Sequence, residues 1–174
     1  MTNLEMYKIF QPLIKKACGV PHVIYADQNA PAPRGPYCAI QFGTNVRQYA
    51  QAVQRRRVTD RRTIVTKYYR QLEVDCTINF YRAGALDYAR KLIEFNHLQF
   101  VVDVMQRHKM GVRNISAVHN LTELFSGNME ERANIKMTVW YSDPIEDEVN
   151  TIEHAKIILE TEEEVVLAEF DVDV

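Results

Sequence analysis

Residues 71–92 read QLEVDCTINFYRAGALDYARKL, and the spacing of apolar residues changes partway through this stretch. Leu72, Val74, Cys76, Ile78 and Phe80 alternate with Gln71, Glu73, Asp75, Thr77, Asn79 and Tyr81. Successive side chains leave a strand on opposite faces, so this pattern predicts a half-buried strand with one core face and one polar face. Around Ala83-Gly84 the period becomes 3.6: Leu86, Ala89 and Ile93 recur at helical spacing, with Leu92 beside them. The strand therefore turns directly into an amphipathic helix.

Working outward, Leu98, Val101, Val102 and Met105 repeat the helical design, which predicts a second helix separated from the first near Asn96-His97. Arg107, His108 and Lys109 fill its last turn and Gly111 follows, the charge and stop expected of a C-terminus. Upstream, Cys38, Ile40 and Phe42 alternate with Tyr37, Ala39 and Gln41, and Val23-Ile24-Tyr25 reads as a short strand before them. The N-terminal helix is expected from about Leu4 to Cys18, with Asn3 or Thr2 as cap and Gly19 as stop. Pro12 inside it implies a kink or a later start. Downstream, residues 113–119 read as a short strand, and Asn120 with Glu123 three positions on predicts a brief capped helix at Leu121–Phe125. A last core strand spans about Asn134 to Ser142, with Ile135, Met137, Val139 and Tyr141 inward, and Asp143-Pro144 is expected to stop it. The single tryptophan, Trp140, falls on the polar side, covered by its own subunit or waiting for a partner.

Charge divides the chain unevenly. Residues 1–142 hold 20 Lys+Arg against 11 Asp+Glu, a balance of +9, whereas residues 143–174 hold one lysine against 12 acids, a balance of −11. The basic part is densest at Arg55, Arg56, Arg57, Arg61 and Arg62, within a stretch at about 47–62 that lacks apolar periodicity and reads as a long loop or protruding hairpin tip. Three uses fit such a run: a solvated loop, a sequence-blind grip on nucleic-acid phosphates, or a contact with an acidic surface on another subunit. The absence of interleaved aromatics argues against single-strand or sequence-specific recognition. The acidic ending alternates Phe170, Val172 and Val174 with Glu169, Asp171 and Asp173, a strand-like pattern that a wholly solvated tail does not need. It is expected to act as an arm that adds to an exposed sheet edge of its own or a neighbouring chain, with a disordered tail as the alternative.

Motifs for chemistry are missing. The five histidines, His22, His97, His108, His119 and His154, are unpaired at i+3 or i+4 and none neighbours a cysteine. No GxSxG, HExxH or P-loop is present. Glu73 and Asp75 share one strand face as a catalytic pair can, but like-charged neighbours on a wet sheet are ordinary. Cys18, Cys38 and Cys76 lie within apolar patterns and read as buried thiols of a reducing compartment. No apolar run reaches the ~20 residues needed to cross a bilayer, and MTNLEMYKIF lacks the pattern of a signal peptide. The expectation is a soluble, unexported, non-enzymatic chain with no cofactor, no metal and no membrane partner.

The segment YADQNAPAPRGPY at 25–37 places Pro31, Pro33 and Pro36 in a stiff connector that belongs to neither helix nor sheet interior. Together with QLEVDCTINFYRAGALDYARKL and HNLTELFSGNMEERANIKMTVWYSD, the block DQNAPAPRGPYCAIQF resembles, in the same order, the neck or tail terminator proteins of tailed bacteriophages. The resemblance covers roughly residues 4–159; the acidic ending and the dense arginine run depart from the family pattern. It implies an α+β fold, a mixed, mainly antiparallel sheet with helices on one face, over 1–143; the acidic extension over 144–174 is read from the charge pattern instead. It further implies a homo-oligomeric ring, six-fold in similar proteins, at the head-proximal end of the tail tube within the virion, assembled in the host cytoplasm. The partners implied are the tail tube protein, a neck or head-completion protein, the sheath if the tail is contractile, and packaged DNA in the lumen. A head-side connector ring and a free DNA-binding protein are the competing readings. In the ring reading Gln28, Asn29, Pro31, Pro33, Arg34, Pro36 and Tyr37 form a docking loop, which loses little conformational entropy on binding. The arginines at 55–57 and 61–62 face DNA or a neighbouring subunit, and Trp140, Phe170, Val172 and Val174 lie in interfaces.

Overall fold

Thr2 opens the first helix by a capping box: its hydroxyl accepts from the Glu5 backbone at 3.2 Å while the Glu5 carboxylate accepts from the Thr2 N–H at 2.7 Å. This helix, α1, runs Asn3–Cys18 and ends at Gly19, whose φ of 76° is left-handed. The late start offered as one effect of Pro12 does not occur. Pro12 lies on the exposed side, while Met6, Phe10, Leu13, Ile14 and Cys18 are buried on the other, so packing of that stripe outweighs the hydrogen bond proline cannot make.

The computed structural model describes residues 1–60, 63–125, 128–150, 154–160 and 166–173, of which 54–60, 63–64, 125, 148–150 and the last two stretches are described by backbone alone. After α1 come β1 (His22–Tyr25), β2 (Tyr37–Asp60), β3 (Thr63–Tyr81), α2 (Ala85–Leu92), a 3-10 turn at Phe95–His97 and α3 (Gln99–Arg107). They are followed by β4 (Met110–Ile115), β5 (His119–Asn120), β6 (Glu123–Phe125), β7 (Asn128–Glu130), β8 (Arg132–Asn150), β9 (His154–Glu160) and β10 (Val166–Asp173). The fold is α+β, with a mixed, mainly antiparallel sheet in the order β1-β2-β3-β8-β4, β5 also pairing with β8.

The chain divides into two compact units, residues 1–51 with 71–143 and residues 52–70 with 144–174. In the first, β1 pairs parallel with β2 and β4 antiparallel with β8. Asn134 donates to Asn79 at 2.7 Å and Thr138 to Asp75 at 3.2 Å, a step of four up β8 matched by four down β3, the antiparallel register. On the expected core face of β3, Val74, Cys76, Ile78 and Phe80 have no exposed surface, and Leu72 is half-buried against them. They join Cys38, Ile40 and Phe42 of β2 and Ile135, Met137 and Val139 of β8 beneath the buried faces of the three helices. Burial raises the Cys18 thiol pKa to about 12 and pushes those of Cys38 and Cys76 up as well, so all three cysteines are free, buried and protonated at neutral pH.

In the second unit, β9 and β10 form an antiparallel ribbon in which Phe170 is opposite Ile157 and Val172 opposite Ala155. There too Lys67 is ion-paired with Glu146.

Three local expectations are corrected. Of the two readings of the stretch at about 47–62, the long loop is overturned and the hairpin stands: β2 reaches Asp60 and its sheet neighbour β3 starts at Thr63, although apolar periodicity is lacking there. Strand pairing extends through polar sequence because both strands are already in register from the core outward. The helix expected at Leu121–Phe125 is instead strand β6, with Leu124 opposite Met129 of β7. Asn120 Oδ1 accepts from the Thr122 backbone at 3.0 Å, closing a turn two residues long, and Glu123 pairs with Arg132, so neither residue caps a helix. Pro144 does not end β8, which continues to Asn150. Ser142 N–H is directed at β4, bonding Lys109 O at 3.0 Å, where β4 ends. Pro144 has the same parity as Ser142, so the donor it lacks would point past the end of β4, where no ladder bond is lost.

Candidate functional site: the clamped proline loop and the outer sheet face

Three prolines make residues 26–36 stiff, and the remainder of the fold fixes where that stiff segment lies. At its start, Ala26 N–H bonds Ile40 O at 2.9 Å and Gln41 donates to Asp27 at 3.2 Å. At its end, the Arg82 guanidinium donates to the carbonyls of Pro33 and of Gly35, the latter at 3.2 Å. Arg82 has φ 72°, a left-handed conformation rare outside glycine, and its own N–H bonds Glu131 O at 2.8 Å. Its guanidinium also lies 5.4 Å from the Tyr37 ring centroid, and that ring stacks on Tyr81 at 4.7 Å with planes 13° apart. Arg132 covers Tyr81 from 5.4 Å and is ion-paired with Glu123 and Glu130. Of the expected docking residues, Gln28, Asn29, Pro31 and Arg34 are exposed, while Pro33, Pro36 and Tyr37 are half-buried in the clamp. Arg82 carries no sequence signal of this role, because neither its positive φ nor its reach across 49 residues of chain is visible in the turn YRAG.

The outward face of the sheet gathers the second group. Glu73 of β3 is buried, its side chain 8% exposed, and accepts from Arg113 of β4 at 2.9 Å. The Arg113 guanidinium lies 4.6 Å from the Tyr49 ring, and the Glu73 hydrogen bond and charge push the arginine pKa up. Asp75 accepts from Arg47 at 3.1 Å and from Thr138 at 3.2 Å. Glu73 and Asp75 are therefore each engaged by a separate arginine, and the geometry pairs them with cations rather than with each other. Among the described residues, no group of three or more His, Cys, Asp or Glu could hold a metal ion.

Trp140 is half-buried on this face. It lies opposite Gly111 of the edge strand β4, and a Cβ on Gly111 would come within 2.4 Å of the indole nitrogen. The indole fills the space glycine leaves empty, beside Gln71, Tyr49, Glu73 and Arg113. Replacing Gly111 with alanine should expel the ring, destabilise the fold by about 1–3 kcal/mol and shift the fluorescence of this single tryptophan to the red.

Other expected site residues lie apart. Arg55, Arg56 and Arg57 are on the β2 backbone and Phe170 and Val172 on β10, with side chains outside the described residues; Arg61, Arg62 and Val174 are wholly outside them. Among the described residues no helix is long and apolar enough to cross a membrane.

A family model for the phage neck terminator protein matches residues 4–164. The chain belongs to that family. As a neck terminator it is a structural component of the bacteriophage virion with a role in tail and neck assembly. Among curated proteins, none matches the chain. The matched span takes in both the clamped loop and the outer sheet face of this terminator.

Proposed function

We propose that the chain closes into a six-membered ring on the head-proximal end of the tail tube, stops tube growth there and offers the incoming head a docking surface. Family membership over 4–164 carries this reading. The geometry supports it through the proline loop, an exposed segment held at both ends by Ala26 and Arg82, which has little freedom left to lose on binding. A ring is built from two unlike surfaces per subunit, and the +9 and −11 balances of residues 1–142 and 143–174 supply attraction between unlike surfaces. Phe170, Val172 and Val174 belong to that acidic segment, and Trp140 borders a subunit contact.

Native mass spectrometry of the purified chain, with and without tube protein, tests the stoichiometry. Six copies are expected; twelve would support a head-side connector instead. Arg55, Arg56 and Arg57 are proposed to line the lumen and touch DNA phosphates irrespective of sequence. Changing all three to glutamine should leave the ring intact and impair DNA retention in assembled particles, measured as packaged DNA lost on storage. Loss of the ring itself would assign these arginines to a subunit contact.

A further inference from the structure

Arg132, the first residue of β8, joins two parts of the first unit that share no sequence. Its Nη1 is ion-paired with Glu123 of β6 and its Nη2 with Glu130 of β7 at 3.3 Å, so one guanidinium holds both strands of that ribbon. The same guanidinium lies 5.4 Å from the Tyr81 ring centroid, Tyr81 stacks on Tyr37 at 4.7 Å, and Tyr37 ends the proline loop with Arg82 5.4 Å from its ring. Arg132 Nε is buried and has no hydrogen-bond partner among the described residues. A buried donor left unanswered is costly, so the guanidinium sits where the two acids and the ring place it and not where its own bonding would be most complete.

Resting on the reading of residues 26–36 as the docking surface, we infer that Arg132 is a second positioning residue of that surface. Anchored by Glu123 and Glu130, it covers Tyr81, and through the Tyr81–Tyr37 stack it fixes the end of the loop whose carbonyls at Pro33 and Gly35 Arg82 holds directly. Two stacked rings with a cation over each lose attraction when either cation leaves. The acids keep Arg132 in place; without them its side chain is drawn toward water. Prolines make the loop stiff but do not aim it, and a docking surface needs its supporting contacts as much as its own rigidity. Glu123 and Glu130, far from the loop in sequence, thereby belong to the docking site. The side chain can be changed without detaching the ribbon, because the backbone of Arg132 separately bonds the Leu121 N–H at 2.8 Å and the Thr122 hydroxyl at 3.3 Å.

The test compares full-length Arg132→Leu, Arg132→Lys and the double variant Glu123→Gln with Glu130→Gln against wild type, by amide exchange and by head joining of tails assembled with each chain. In Arg132→Leu, exchange at residues 26–36 should rise by roughly three- to tenfold, the fold-change of an ordinary cation–ring contact, while amides of residues 74–80 in β3 exchange as before and joining falls. Lysine keeps a cation over Tyr81 and should restore most of both. The double variant should reproduce the leucine result with Arg132 itself intact, and raised salt should move the wild type the same way. A purely structural role would speed exchange through β8 and the ribbon without singling out the loop. Loop exchange unchanged in Arg132→Leu, an equal rise in β3, failure of lysine to restore it, or a double variant that behaves as wild type would each overturn the assignment. Faster loop exchange with undiminished joining would uphold the anchor and overturn the docking reading on which it rests.

Discussion

Phe10→Ala is expected to lower stability by about 3–5 kcal/mol, the range for deleting a large buried aromatic ring. Phe10 has no exposed surface and contacts both layers of the core: edge-on to Phe42 of β2 with centroids 5.4 Å apart, and stacked on Phe95 at 6.1 Å. For a chain of this size the loss corresponds to a fall in Tm of roughly 10 °C, measurable by calorimetry. A change below about 1 kcal/mol would mean that α1 packs more loosely on the sheet than the structure shows.

The second large effect is functional and concerns Arg82. Two substitutions separate its roles. Arg82→Gly keeps the left-handed backbone at no steric expense and removes the guanidinium that bonds Pro33 O and Gly35 O. Arg82→Ala removes the same group and keeps the roughly 1 kcal/mol of left-handed backbone strain that Arg82 already bears and that glycine relieves. Both should free the proline loop, seen as faster amide exchange around residues 26–36, and both should sharply reduce head joining while tails continue to form. The alanine variant should also be the less stable of the two. If joining is undiminished in both variants, the loop is not the docking surface.

How much of this was legible in the sequence depended on how local its causes are. The β3 alternation and the helical spacing through Leu86–Met105 are set by burial on one face, so period alone revealed them. The Thr2 cap and the Gly19 stop are likewise short-range. Errors arose where a distant partner decided the outcome. Leu121–Phe125 carries helix-cap residues, but Arg132 captures Glu123 and the segment pairs with β7. Pro144 is a strand breaker only where its missing donor would meet a neighbour, and β4 has ended by then. The site was legible in its loop, through proline spacing, and hidden in its clamp. Arg82, and the fit of Trp140 over Gly111, arise from strands brought together by topology, which no single-sequence pattern encodes.

Reconstruction of the intact virion at the junction of capsid and tail tests the central claim most directly. The account predicts this chain in six copies, as one closed layer at the head-proximal end of the tube, with residues 26–36 turned toward the head-side neighbour. Finding it as a twelve-membered head-side ring, distributed along the tube, or in isolated copies elsewhere in the particle would contradict the account.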